Sequence, residues 1–209
     1  RGRACWPLFP PAPAPCPPPV AGPEVPNQAA WEASPHNDAT AEAFVHWNET
    51  DDQMIPATCA TCHSTTGYQD YLGADGTAAG TLENPAPVGS TITCVACHNE
   101  AAENLSEVTF QSGVTITGLG PEARCMVCHQ GRATKTQVDD QIEKFGATDP
   151  DAVVAPIKED DKETAFGFIN IHYFAAAVTL YASEVHGGYE YDGKTYDAKN
   201  DHVPEFDTC

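Results

Sequence analysis

Three short stretches of this chain repeat one arrangement: "CATCH" at Cys59, Cys62 and His63, "CVACH" at Cys94, Cys97 and His98, and "CMVCH" at Cys125, Cys128 and His129. In each, two thiols stand three residues apart and an imidazole follows the second. A shuffled chain of this composition is expected to hold roughly 0.01 such matches, so three of them require a chemical reason.

Three chemistries compete. Covalent haem attachment uses two cysteines at i and i+3 for the two vinyl groups of one porphyrin, and the next residue, a histidine, for the iron. Structural zinc uses pairs of Cys-x-x-Cys knuckles to form a four-thiolate site, needs no histidine in every knuckle, and leaves one of three knuckles unpaired. A thioredoxin-like dithiol wants one Cys-x-x-Cys at a helix start within an α/β pattern, which is missing here. The histidine in every motif favours haem c. Cys59, Cys62, Cys94, Cys97, Cys125 and Cys128 then hold three porphyrins, and His63, His98 and His129 are their proximal ligands.

Five further histidines, His36, His46, His172, His186 and His202, lie outside the motifs. Three six-coordinate haems need three of them as distal ligands. On an unbroken helix over 166–188, His172 and His186 lie about 21 Å apart and serve different haems. Met54 is the other axial candidate, and its setting before Ile55-Pro56 reads as packing. Met126 lies inside its own motif and cannot reach the far face of that iron. Cys209 ends the sequence after "DHVPEFDT" and is read as the opening cysteine of a fourth haem motif. A disulfide to Cys5 or Cys16 is the alternative.

The elements that must position these groups are sparse. Leu, Ile, Val and Phe make up about 17% of the 209 residues, and the formal charge is −20. That balance is poor in core formers, and porphyrins would supply the missing apolar surface. Thirty acidic residues against ten basic ones argue against nucleic acid or an anionic membrane as partner. No run of 18 apolar residues is present, so no membrane span is expected. The start "RGRACWPLF" has no apolar export core, so any signal has been removed or lies outside this sequence.

Residues 1–26 carry 10 of the 18 prolines and read as an extended Pro-rich arm. Residues 27–209 form the second unit. The segment from about Asp38 reads as helix, with Phe44 and Trp47 on one side. "VTFQSGVTIT" predicts a hairpin turning at Ser112-Gly113, and "YEYDGKTYD" another at Asp192-Gly193. Residues 130–164 read as a charged surface excursion, and 166–188 as the longest helix, stopped at Gly187-Gly188. Motif intervals of 35 and 31 residues suggest repeated sites rather than a solenoid. The expected fold is mostly irregular coil with a few short α-helices and one or two β-hairpins, around stacked haems.

With these motifs on the page, the stretch from about 31 to 209 resembles the multihaem c-type cytochromes of exported electron transport. "WEASPHNDA" is similar to their Ser-Pro-His distal segment, and "INIHY" and "NDHVPEFDTC" to other distal-histidine segments. The resemblance implies bis-histidine electron carriers, extracellular or periplasmic, that exchange electrons with redox proteins or extracellular acceptors. Some members polymerise into filaments. The two surplus histidines allow one to complete a haem in a neighbouring subunit of an open-ended homopolymer, with His36 and His46, beside the arm, best placed to cross. The rival reading is an enzyme, a multihaem reductase of a small oxyanion or nitrogen compound. It needs an open haem face and a basic anion site, for which only Arg124, Arg132 and Lys135 gather near one motif.

Overall fold

The computed structural model describes residues 25–82, 84–147, 149, 151, 158 and 163–201. The Pro-rich arm, except Val25 and Pro26, lies outside them, as do His202 and Cys209. Among the described residues the elements run α1 (Gln28–Glu32), a 3-10 turn (Pro35–Asn37), α2 (Glu42–Val45), β1 (Met54–Ile55), α3 (Ala57–His63) and α4 (Thr65–Tyr71). They continue with β2 (Ala86–Pro87), α5 (Cys94–Cys97), α6 (Glu100–Glu103), β3 (Glu107–Thr109), β4 (Thr115–Thr117), α7 (Ala123–His129), α8 (Lys135–Lys144), α9 (Ala176–Tyr181) and a 3-10 turn (Ala182–Val185). The pattern is short helices, two small antiparallel sheets and much coil, as expected from composition. Among the described residues no helix is long and apolar enough to cross a membrane.

The predicted hairpin at 108–117 is present. β3 and β4 pair with Val108 opposite Ile116, both buried, while Thr109 and Thr115 meet on the outer face through a 2.8 Å hydroxyl contact. Gly113 turns the chain at φ 87°, a conformation glycine reaches without penalty. The inner face joins Phe110, Met126, Val127, Val178 and Tyr181 in the larger apolar cluster. A smaller cluster of Ile55, Ala60 and Ala86 packs against Trp47 and Leu82. Met54 sits in β1 opposite Pro87, and Met126 is fully buried.

Four segments differ from expectation. The long helix over 166–188 is reduced to α9 and the turn after it. Asn170 Oδ1 accepts from His172 N at 2.8 Å, a local bond that competes with helix formation, and His172 and Phe174 take φ of 84° and 54°. The carbonyl of Ile171 is taken by Arg132 N at 3.0 Å, so this stretch lies along residues after the third motif instead of coiling. The charged excursion contains a real helix, α8, opened by Thr134 N donating to Gln137 Oε1 at 2.6 Å. Its buried Gln141 holds Gly167 N at 2.9 Å, so polar packing stands where a helix ordinarily shows an apolar stripe. The helix from Asp38 is delayed to Glu42 because Asp38 Oδ1 caps Thr40 N at 3.0 Å. At Asp192-Gly193 the chain turns without strands on either side.

Candidate functional site

Each cysteine pair lies on one turn of helix. α3 and α7 run through whole motifs and end on His63 and His129, while α5 ends at Cys97 with His98 as its C-cap. Residues i and i+3 of a helix are surface neighbours, so each thiol pair faces one side. The six cysteines are free thiols in this structure.

α3 is held by α4. Ser64 Oγ accepts from Gly67 N at 2.9 Å and donates to Ala60 O at 3.0 Å, with Ser64 fully buried. A β-carbon on Gly67 would stand 2.4 Å from Ala60 O, so the two helices touch only because this residue is glycine. α5 is locked in turn by Asn99, which accepts from Ala102 N and donates to Val95 O and Ala96 O.

Two of the motif histidines have their tautomer set. His63 Nδ1 donates to Ala43 O and His129 Nδ1 to Phe174 O, both at 2.7 Å. A carbonyl only accepts, so Nδ1 carries the proton and the Nε2 lone pair is left for a metal. His98 differs: its Nδ1 lies 3.9 Å from Glu103, beyond hydrogen-bond reach.

The same two rings each face a non-motif histidine. His63 and His172 have centroids 5.9 Å apart, and His129 and His36 have centroids 6.1 Å apart. Two imidazoles bound to opposite faces of one metal, each through a bond of about 2 Å plus a ring radius of about 1.1 Å, have centroids about 6 Å apart. His172 Nδ1 is buried with no partner, an orphan that a buried polar atom ordinarily avoids. Tyr173 and Phe174 beside it are 75% and 83% exposed, large apolar surface next to a candidate ligand. These features fit a porphyrin held between each pair. A four-thiolate zinc site draws its sulfurs together, and among the described residues no three His, Cys, Asp or Glu converge as such a site requires.

Burial holds His63, His36 and His172 below the usual imidazole range. Neighbouring positive charge adds to this, from His46 and Arg132 on His63, His129 on His36, and Arg132 on His172. The bond to Ala43 O pulls His63 partly back up. All three therefore favour the neutral form that ligates metal. His46 and His186 stand elsewhere, with Nδ1 against Glu42 Oε1 at 2.8 Å and Glu190 Oε1 at 2.9 Å. Among the described residues neither they nor any other histidine ring packs on His98. His36, expected to be free to cross to another subunit, is instead packed on His129 of its own chain. The roles expected of His202 and Cys209 fall outside the described residues.

Sequence reasoning missed several groups. Trp47 stands edge-on to both His46 and His63, at 4.8 and 5.1 Å. Tyr68 is 2% exposed, and its hydroxyl donates to Arg124 O at 2.6 Å. Its phenol is pushed far up, first by burial and then by the thiols of Cys128, Cys97 and Cys125. The carbonyls of Ala43 and Phe174 carry no side-chain signal at all.

Comparison with protein families, with curated proteins and with solved structures finds no match to this chain.

Proposed function

We propose that the chain is an exported electron carrier that binds haem c covalently at its three Cys-x-x-Cys-His motifs. The observation that carries this is the pairing of His63 with His172 and of His129 with His36 at 5.9 and 6.1 Å, on motifs whose cysteines stand ready beside them. Bound haem supplies a one-electron couple between ferrous and ferric iron, whose potential follows ligand, burial and hydrogen bonding.

The chain's own residues do the rest. Cys59 and Cys62, Cys94 and Cys97, and Cys125 and Cys128 anchor. His63, His98 and His129 would each supply one iron ligand, and His172 and His36, which stand against His63 and His129, would supply a second at the first and third sites. Ala43 O and Phe174 O fix the proximal tautomer and raise the basicity of the ligand. His46 and His186, whose Nδ1 atoms rest on glutamates, suit the second site, a fourth site opening at Cys209, or a neighbouring subunit in a homopolymer. The partners are redox proteins or extracellular acceptors. A reductase would need an open face, and the two histidine pairs argue against one at the first and third sites.

The test is the intact mass of purified protein, together with its spectra. Covalent haem at every motif and low-spin iron are the expected result. Protein that loses all colour to acid acetone overturns the reading.

A further inference from the structure

α7, which carries the third motif, touches the elements of both others. On one side Cys128 Sγ donates to Thr61 O in α3 at 3.5 Å. On the other side Arg124, the residue before Cys125, reaches Nη1 to Cys97 O at 3.0 Å. Tyr68 of α4 seals the middle, its hydroxyl on Arg124 O.

The loop carrying His172 repeats this bridging. His172 faces His63 of the first site, and two residues on, Phe174 O holds His129 of the third. His36, which faces His129, accepts from Ile92 N at 3.1 Å through its own carbonyl, two residues before the second motif begins. The third site is thus tied to the first by one ligand loop and to the second by the other. The first and second motifs, by contrast, are joined through α4, where Gln69 Nε2 donates to Val95 O at 3.2 Å and Thr65 holds Thr91 and Thr93.

Resting on the electron-carrier reading, we propose that the third motif is the junction of the redox path, with the sites ordered first, third, second in space. An electron entering at the first site reaches the second by way of the third. One electron crosses at each step, the donor side being oxidised and the acceptor side reduced, with no bond made and no proton needed. The steep fall of electron transfer with distance makes contact order the route.

The test uses the haem-loaded protein in its fully reduced, diamagnetic state. Proton NMR assigns each haem through its thioether cysteines and then reads nuclear Overhauser contacts between haems. The haem on Cys125 and Cys128 is expected to contact both others, the one on Cys59 and Cys62 and the one on Cys94 and Cys97. Direct contact between the first and second haems, with the third contacting only one of them, overturns the order. A second arm removes the third haem by Cys125→Ala with Cys128→Ala, its loss verified by mass. Magnetic coupling between the two remaining ferric sites should vanish in electron paramagnetic resonance, and its persistence overturns the proposal. If that variant fails to fold, the wild-type contacts decide. Protein that carries no covalent haem by mass refutes the electron-carrier reading itself, which separates that failure from a wrong order.

Discussion

The imidazoles of His63 and His172 face each other with centroids 5.9 Å apart and planes inclined at 70°. His63 is fixed through Nδ1 on Ala43 O, while His172 sits on a loop strained at φ 84°. Backbone strain of this kind costs on the order of 1–3 kcal/mol and persists only where the surroundings demand it. A residue proposed as a ligand, which must meet a ring on another element, is such a demand.

His172→Ala should therefore convert one haem, and only one, from low to high spin, with carbon monoxide binding at that site. His36→Ala should do the same at a different haem, the one on Cys125 and Cys128. The check is electron paramagnetic resonance on the oxidised variants. Two variants that change the same haem, or none, would remove the assigned pairings.

Much of this site is readable from sequence and part of it is not. The motifs are legible because the proposed covalent attachment requires Cys, Cys and His at fixed local spacing. The histidine pairs are not, because His63 and His172 meet through long-range packing that leaves no spacing rule. The 166–188 reading failed for a specific reason. Its residues score as helix, but Asn170 ties up His172 N and the carbonyls of Ile171 and Phe174 serve Arg132 N and His129. The hairpin at 108–117 was legible because alternation and a Ser-Gly turn are both local. α8 was missed because its buried face includes a glutamine.

Gly67→Ala tests the seat of the first motif. Its β-carbon would fall 2.4 Å from Ala60 O, a backbone atom that cannot swing aside. Overpacking of this sort costs about 1–3 kcal/mol. The melting temperature should fall, and haem attachment at Cys59 and Cys62 should suffer first. Gly188→Ala, where nothing lies within 4 Å of the added carbon, is the control and should be nearly neutral.

Tyr68→Phe keeps the ring and deletes the hydroxyl that Arg124 O accepts. The half-buried Arg124 carbonyl, which also lies within helix α7, loses one of its donors, and an ordinary hydrogen bond contributes about 0.5–1.5 kcal/mol. Denaturant unfolding should show that loss. Because α7 is the element released, the magnetic coupling of the third site to its neighbours should weaken as well, which a merely destabilised fold would not do at low temperature.

The pH response has a definite sign. His36, His63 and His172 all have folded-state pKa values below the ordinary 6.5, burial being the first cause in each. The unfolded chain thus binds protons before the folded one does. Stability from these groups is whole above about pH 6.5 and is lost as pH falls through the depressed folded values. Metal ligation acts in the same direction, since a protonated imidazole cannot bind iron. Acid titration should release distal ligands and unfold the chain, with no matching loss on the alkaline side up to about pH 8. Stability that rises on acidification below about 6.5 would contradict this.

Arg132 carries the last expectation. It lies just past the third motif, its backbone N is anchored on Ile171 O next to His172, and its charge acts on both His63 and His172. In a chain with 30 acidic and 10 basic residues, a cation beside this ligand pair stands out against the general field. Ferric haem is more positive than ferrous, so a neighbouring cation disfavours the oxidised state and raises the potential. Arg132→Gln should lower the midpoint of the first site alone, by an amount on the scale of the roughly 59 mV that changes a one-electron equilibrium tenfold. Arg132→Lys should restore part of the shift, since the charge remains while the planar fork is lost. Spectroelectrochemical titration, with the first site identified by its response to His172→Ala, reads the change. High salt should shrink it where solvent reaches the guanidinium. An unchanged midpoint, or equal shifts at all three sites, would show that Arg132 does not tune the first site.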